Sequence, residues 1–257
     1  MKIVVCVKQV PDSAAKVVAE NGQVNWGDAP LVINPWDEYA VEGALLQKEA
    51  LGGEVTVLSI GGENAKEALK HALAMGCSDA ILISDPALAK LDSQGVARVL
   101  ATAIQKLSGV ELVFLGRQAI DSDTGVTTAQ TARVLGWPAL TLVSAIKSLD
   151  AGSIQVERSM EEGHQAVSAR LPAVISVVKD FAEPRYPSFM GIRKASRAVI
   201  PIWSLADLGI PAPASVVTWP KVANPPARDV TTEIISGGSP QEIAEKLVDR
   251  ILAEKVL

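Results

Sequence analysis

Residues 111–137 (ELVFLGRQAIDSDTGVTTAQTARVLGW) constrain the fold of this chain more than any other stretch. They begin with an apolar run at 112–115, of the length of a buried strand. The run breaks at Gly116 into a loop rich in Asp, Thr and Gly, and apolar residues then recur at helical spacing from Val126. A buried strand, a polar loop and a helix N terminus in this order are typical of the place where a parallel α/β sheet binds a phosphorylated ligand. Free backbone N–H groups and the helix dipole both point there.

The same alternation of strand and helix patterns runs through the first half of the chain. Strands are predicted at residues 2–7, 54–60, 80–84 and 112–115, and helices are predicted from Asn34 to Gly52, from Gly62 to Gly76, after Asp92 and from 126. Asn34 and Pro35 suit the first two positions of a helix, and a Gly pair suits its end. This alternation predicts an α/β fold with a mostly parallel sheet and covering helices.

Three further segments depart from the alternation. Residues 14–33 are predicted to form a hairpin that turns at Asn21-Gly22, and the alternating runs 139–147, 153–159 and 164–170 predict an antiparallel hairpin extension. A last buried strand, AVISVV, follows Pro172. Residues 211–230 hold five prolines and are predicted to form an extended C-terminal arm, closed by a helix at 240–255 that Ser239 could cap.

Composition limits the partners and the compartment. The net charge of −5 argues against a nucleic-acid partner, and no apolar run approaches the roughly 20 residues that a membrane span needs. The apolar start is too short for a targeting signal, so we expect a bacterial cytoplasmic protein without membrane insertion. With two cysteines and two histidines, neither a disulfide framework nor a metal site is indicated.

The chain shows no catalytic constellation. GxSxG, HExxH, the Walker loop and GxGxxG are all absent. His71 and His164 are better read as solvated surface residues than as acid–base catalysts. Asp121 and Asp123 could act as paired acids, but a polar role that includes capping the following helix is the better interpretation.

Four strand-end loops should instead converge on one edge of the sheet. They span residues 6–9, 34–37, 60–62 and 116–128, and they supply backbone N–H groups, hydroxyls and small residues. Lys8 and Arg117 are possible cations among them. This set suits a nucleotide phosphate and ribose better than a reaction centre.

Five segments, in this order, resemble the β subunit of electron transfer flavoprotein: VCVKQVPD, INPWDEYAVEGAL, ALAMGCSDA, LVFLGRQAIDSDTG and LPAVISVV followed by EPRYPS. The resemblance covers about residues 1–210. It implies an adenine-nucleotide α-hydrolase-like, nucleotide-binding fold and a heterodimer with an α subunit that holds most of the redox FAD. The β subunit itself buries AMP, has no catalytic residues, and helps the dimer to carry electrons from flavin dehydrogenases, such as acyl-CoA dehydrogenases, to a membrane quinone oxidoreductase.

The resemblance also implies the residues of each site. The nucleotide-binding positions carry over as Cys6, Asn34, Pro35, Trp36, Asp37, Ile60, Gly116, Arg117, Gln118, Ala119, Ile120, Asp121, Ser122, Asp123, Thr124, Gly125, Val126 and Thr127. The partner-recognition positions carry over as Pro184, Arg185, Tyr186, Pro187, Ser188, Phe189, Met190, Gly191, Ile192, Arg193, Lys194 and Arg197. The resulting division is a nucleotide-binding domain at 1–183, a recognition loop at 184–197, and an arm and helix at 198–257 that pack on the α subunit.

Two departures from the family bear on the ligand. Gly125-Val126-Thr127 stands where AMP-binding members carry Asn-Gln-Thr, and 121–128 also differs from the Asp-Gly-Asp-Thr-Ala-Gln-Val-Gly of electron-bifurcating members, which bind a second FAD in place of AMP. Ser13 replaces an aromatic residue often found in the first loop. AMP is the favoured ligand and a second FAD is the alternative. A third hypothesis is a stand-alone AMP- or ATP-binding regulatory protein. The long Pro-rich tail disfavours it, because a stand-alone domain has little need of such a tail.

Overall fold

The computed structural model describes residues 1–227, 229 and 231–254. The chain divides into two compact units, Met1–Val222 and Ala223–Leu257. Among the described residues, the first contains one large sheet, two small two-stranded sheets and six α-helices, and the second contains one α-helix. None of the described helices is long and apolar enough to cross a membrane.

The strands and helices follow the predicted order closely. The strands are β1 (Lys2–Cys6), β2 (Gln9–Pro11), β3 (Val18–Glu20), β4 (Gln23–Asn25), β5 (Leu31–Ile33), β6 (Glu54–Ile60), β7 (Asp79–Ile83), β8 (Leu112–Gly116), β9 (Ala139–Leu149), β10 (Ser153–Met160), β11 (Gly163–Arg170), β12 (Ala173–Val177) and β13 (Ile202–Trp203). The helices are α1 (Pro35–Leu51), α2 (Lys66–Met75), α3 (Ser93–Leu107), α4 (Thr127–Leu135), α5 (Phe189–Ser196), α6 (Leu205–Leu208) and α7 (Pro240–Ala253).

One nine-stranded sheet organises the first unit, in the order β11-β10-β9-β12-β8-β1-β6-β7-β13. In this spatial order, all the pairings that lie between β9 and β13 are parallel. The pairings of β10 with β9 and with β11 are the antiparallel ones of this sheet. The α/β fold and the antiparallel extension predicted from the sequence are therefore confirmed. The extension is continuous with the parallel sheet, because β9 pairs with β12 on one side and with β10 on the other.

Helices cover both faces of this sheet. Alternate residues of β1 point to opposite faces: Ile3 and Val5 join a core with α1 and α2, and Val4 and Cys6 join a second core with α3 and α4. Aliphatic side chains dominate both cores, and Phe114 is the largest fully buried side chain. Burial on both faces explains why the central strands are continuous apolar runs.

The smaller predicted features can also be checked. The hairpin is β3–β4, with Asn21 and Gly22 both at positive φ in its turn. Asp92 caps α3 by accepting a hydrogen bond from the Gly95 N–H (2.8 Å), and Gly52 follows the end of α1. Short elements were missed: β13 pairs beside β7, α5 lies in the segment predicted to be a recognition loop, and α6 lies at the start of the segment predicted to be an arm.

The second unit contains α7. Ser239 caps it by accepting a hydrogen bond from the Glu242 N–H (3.2 Å), as predicted. The predicted end of this helix, Lys255, lies outside the described residues. The preceding Pro-rich segment forms no helix or strand at 211–227 or at 229, the part of it that is described.

Candidate functional site

The carboxyl ends of three neighbouring strands form one corner of the sheet. Cys6, the last residue of β1, pairs with Leu58 of β6 on one side and with Leu115 of β8 on the other. The ends of these strands, Ile60 and Gly116, therefore lie on either side of Cys6. Burial and the nearby Asp37 carboxylate raise the pKa of the Cys6 thiol, which stays protonated and suits packing rather than nucleophilic chemistry.

Asn34 joins two of the converging loops. It occupies the N-cap position of α1, as predicted, but its side chain makes no capping hydrogen bond. Its Nδ2 donates to the Gln118 carbonyl (2.8 Å), and its Oδ1 accepts from the Ile120 N–H (3.2 Å). The buried amide therefore fixes the loop after β8 against the start of α1.

Asp37 makes the corresponding link from the first turn of α1. Its carboxylate accepts hydrogen bonds from the N–H groups of Lys8 (2.7 Å) and Gly116 (3.2 Å), which follow β1 and end β8. Burial raises the pKa of Asp37 to about 7, and these backbone hydrogen bonds oppose the rise. One buried carboxyl group thus joins three segments of the site.

Gly116 is required by this close approach. A Cβ at residue 116 would lie 2.5 Å from Asp37 Oδ1 and 2.6 Å from the carbonyl carbon of Trp36. No side chain fits between β8 and the start of α1. The break that the sequence shows at Gly116 is therefore a steric requirement, since its φ is not in the left-handed region.

The two aspartates of the loop have separate roles. Asp121 forms an ion pair with Lys8 Nζ (2.7 Å), and Asp123 accepts a hydrogen bond from the Gln118 side chain. Neither caps α4, because the residue at its N-cap position is Val126. The capping role predicted for these aspartates is therefore wrong, whereas the start of α4 at Thr127 is one residue from the predicted start at Val126.

The N terminus of α4 is open to a ligand. The preceding residues 122–126 are exposed, and Gly125 adopts a left-handed φ of 63°. Val126 has no side-chain atom that can accept a hydrogen bond, so the N–H groups of the first turn lack a side-chain cap. Within the described chain, Gln130 Oε1 and Thr131 Oγ1 are also buried without a hydrogen-bond partner. The uncapped N–H groups and the exposed loop before them are features of an anion site at a helix N terminus, whereas the Gln130 amide oxygen only accepts hydrogen bonds and does not contribute to binding an anion.

An aromatic side chain completes the corner. Trp36 is half-buried beside Gly116, and the Arg117 guanidinium lies 5.6 Å from the centre of its ring. Arg117 is exposed and Lys8 is partly exposed, so the site contains two cations and one flat aromatic surface. Lys8 is already paired with Asp121, so of the two the exposed Arg117 is the cation that is free to meet an anion, and the Trp36 ring is the kind of surface on which a planar group can stack.

The remaining candidates lie elsewhere. His71 is on α2, with Nε2 2.8 Å from Glu38 Oε1, and His164 is on β11, 3.6 Å from Glu157 Oε1. The segment 184–197 runs along α1 and α2, and most of it is the helix α5 rather than a loop. Among the residues described, no group of three or more His, Cys, Asp and Glu side chains could hold a metal ion.

Arg185, one of the predicted recognition residues, is bound within the chain. Its guanidinium pairs with Glu42 and Glu49 of α1. The sequence analysis did not single out these acids. Their spacing of seven residues places both on one face of α1, and Glu42 stands between the core residues Val41 and Ala44, which could have signalled a buried partner.

Comparison with known proteins shows which family the chain resembles. The family model described as "Electron transfer flavoprotein domain" matches residues 23–208. The chain is 37% identical to the caffeyl-CoA reductase–Etf complex subunit CarD of Acetobacterium woodii and 35% identical to the electron transfer flavoprotein subunit beta of Megasphaera elsdenii, and both alignments cover 100% of each protein. It is 40% identical to protein FixA of Azorhizobium caulinodans over 82% of this chain and 77% of that protein.

Proposed function

The chain belongs to the electron transfer flavoprotein family as a β-type subunit, and we propose that it is the nucleotide-binding, non-catalytic half of a heterodimeric electron carrier. Members of this kind carry electrons and are not catalysts themselves. In the proposed division, residues 1–183 bind the nucleotide, 184–197 recognise a redox partner, and 198–257 pack on an α-type subunit.

The ligand proposed for the corner of the sheet is an adenine nucleotide. The observation that carries this proposal is the N terminus of α4, which has no side-chain cap and follows a loop that Lys8 and Asn34 hold against the end of β1 and the start of α1. The N–H groups of α4 would bind the phosphate, and Trp36 offers a surface for a planar base. Asn34 and Asp37 act indirectly, because their side chains are already bonded to the loops that they hold.

AMP is the simplest ligand that fits this description, and a second FAD is the alternative. FAD contains the same adenosine monophosphate group, so both would use the same residues. The exposure of residues 122–126 leaves room for a longer ligand to continue past α4. The names of two relatives, a caffeyl-CoA reductase complex subunit and an acryloyl-CoA reductase electron transfer subunit, give the alternative weight, since they place such subunits beside reductases.

The redox group of the carrier would be an FAD held mainly by the α-type subunit, and when bound it supplies the electron-accepting isoalloxazine ring. This chain would contribute part of the scaffold around that ring. The external partners would be flavin dehydrogenases or reductases that act on CoA esters, with a quinone oxidoreductase as the acceptor in the AMP-binding form. The apolar side chains exposed on α5 offer the docking surface.

The test is to purify the chain together with its α-type partner, denature the complex and identify the released nucleotides by chromatography and mass spectrometry. One FAD and one AMP per heterodimer support the favoured form, and two FAD support the alternative. Loss of one nucleotide in the Gly116→Ala variant would assign it to this chain. A monomer that associates with no flavoprotein would overturn the proposal and favour a regulatory nucleotide-binding protein.

A further inference from the structure

The segment before α5 is held to the body of the protein by one arginine. Arg185 Nε and Nη2 donate to the two carboxylate oxygens of Glu42, each over 2.8 Å, and the Arg185 backbone N–H donates to the same carboxylate over 3.1 Å. Arg185 Nη1 also donates to Glu49 Oε1 over 2.5 Å. We call this set of three side chains the Arg185 clasp.

The clasp is partly buried, so its carboxylate oxygens need hydrogen-bond donors from the protein. The side chain of Glu42 is 6% exposed and that of Arg185 is 33% exposed. A buried carboxylate needs a partner that satisfies both of its oxygens, and the planar fork of arginine does so where the ammonium of lysine does not. The clasp therefore fixes the position of the segment before α5 against α1.

A second constraint acts on α5 itself. A Cβ at residue 191 would overlap the carbonyl oxygen of Ala74, near the end of α2. Only glycine allows α5 to lie so close to α2. Ser188 caps the helix by accepting a hydrogen bond from the Gly191 N–H (2.9 Å), so the N-cap of α5 lies three residues after Arg185.

The helix held in this way presents apolar side chains to solvent. Phe189 is 79% exposed and Met190 is 67% exposed, whereas Ala195 on the inner side of α5 is buried. Basic side chains follow at Arg193 and Lys194. An eight-residue helix has little stability by itself, so its order depends on the contacts at its base.

We propose that Arg185, through Glu42 and Glu49, is a positioning residue that holds α5 as a preformed docking helix for a flavin-containing dehydrogenase or reductase. This inference rests on the proposed docking function of α5. The clasp reduces the conformational entropy that the helix loses when a partner binds, and so strengthens the encounter without touching the partner. It leaves electron transfer within the formed complex unchanged.

The experiment compares Arg185→Lys and Glu49→Gln with the native heterodimer, and uses Arg98→Lys on α3 as a control at an exposed arginine. Glu49 lies on the exposed side of the clasp, so its change to glutamine tests the clasp with little risk to folding. Hydrogen exchange is followed in residues 182–196. Reduction of the heterodimer is measured against a flavin-dependent acyl-CoA dehydrogenase with its CoA-ester substrate.

Arg185→Lys should raise the KM for the heterodimer about 3- to 10-fold at unchanged kcat, and speed exchange in α5 while exchange in α4 stays the same. Glu49→Gln should give a smaller change in the same direction. If exchange in α5 matches that of the native protein in both variants, the positioning role is overturned.

Phe189→Ala separates this failure from failure of the docking proposal. If Phe189→Ala leaves the KM unchanged, α5 is not the docking surface, and the proposed function of α5 fails whatever the clasp does. If Phe189→Ala raises the KM and Arg185→Lys changes neither the KM nor the exchange of α5, only the positioning role fails.

Discussion

Gly116 and Asp37 are in direct contact at the centre of the candidate site: the Gly116 N–H donates to Asp37 Oδ1 over 3.2 Å, and a Cβ at residue 116 would lie 2.5 Å from the same oxygen. The end of β8 and the first turn of α1 are therefore fitted together without space for a side chain. This contact sets the distance between the loop after β8 and the loop after β1, since Asp37 also binds the Lys8 N–H.

Gly116→Ala should destabilise the protein and empty the proposed nucleotide site. The added methyl group forces β8 and α1 apart, and overpacking of this kind costs about 1–3 kcal/mol. Urea unfolding and the nucleotide content of the purified heterodimer measure the two effects. Gly152→Ala is the matched control, because a Cβ there meets nothing within 4 Å. Native stability and nucleotide content in Gly116→Ala would contradict the close fit.

Asp37→Asn should change how stability depends on pH. Because burial raises the folded-state pKa of Asp37 from 3.8 to about 7, folding takes up a proton at intermediate pH. The contribution of this group is fully present below about pH 4 and is lost as the pH rises through 7. The free energy of unfolding of the native protein relative to Asp37→Asn should fall between pH 4.5 and 8.

The size of that change follows from the pKa. The rise in the pKa of Asp37 from 3.8 to about 7 corresponds to a change in the free energy of unfolding on the order of 4 kcal/mol over the whole pH range. Denaturant titrations of the heterodimer at several pH values measure it, with Asp28→Asn, at an exposed position, as the control for the change in net charge. A constant difference between native protein and Asp37→Asn would mean that Asp37 does not titrate in this range.

Lys8 and Asp121 should show a small favourable coupling. Their ion pair spans 2.7 Å, with the Asp121 side chain 19% exposed and Lys8 more accessible to water. A double-mutant cycle with Lys8→Met and Asp121→Asn should give about 0.2–1 kcal/mol, decreasing as salt is added. A coupling of zero at low salt would show that the pair does not hold the loop.

Phe189→Ala should slow reduction of the heterodimer by its dehydrogenase and leave folding and flavin content intact. The side chain is exposed, so its removal costs the free protein little, but an aromatic anchor at an interface contributes about 1–2 kcal/mol or more to binding. Stopped-flow kinetics at varied dehydrogenase concentration measure the second-order rate constant. Val24→Ala, also at an exposed apolar residue, is the control, and native kinetics in Phe189→Ala would exclude α5 as an anchor.

Much of the fold could be predicted because the hydrophobic pattern that marks each strand and helix is local in the sequence. The runs that form β1, β6, β7 and β8 are apolar on both faces, and Gly or Asp residues mark the ends of the helices between them. Strand order could not be obtained in the same way. The insertion of β12 between β8 and β9 depends on which strand edges meet after folding, and a continuous apolar run carries no such information.

The candidate site, too, could be predicted only in part from the sequence. The sequence placed Gly116, Asn34 and Asp37 in converging loops, since parallel strands end at one edge. It did not show that Asn34 and Asp37 would bond the loops together instead of facing a ligand. The start of α4 was predicted to within one residue, but the capping role of Asp121 and Asp123 was wrong, because their carboxylates bind Lys8 and Gln118 instead.

The sequence alone determined the α/β class and the membership of a flavoprotein family, and it predicted the candidate site at the end of β8, because periodicity, turn residues and motifs are local features of the chain. Only the tertiary structure revealed that Arg185 forms ion pairs with Glu42 and Glu49, and that Gly191 lets α5 lie against Ala74. Arg185 and Glu42 are 143 residues apart in the chain. Contacts at such separation depend on how the packed layers meet, which no local pattern encodes.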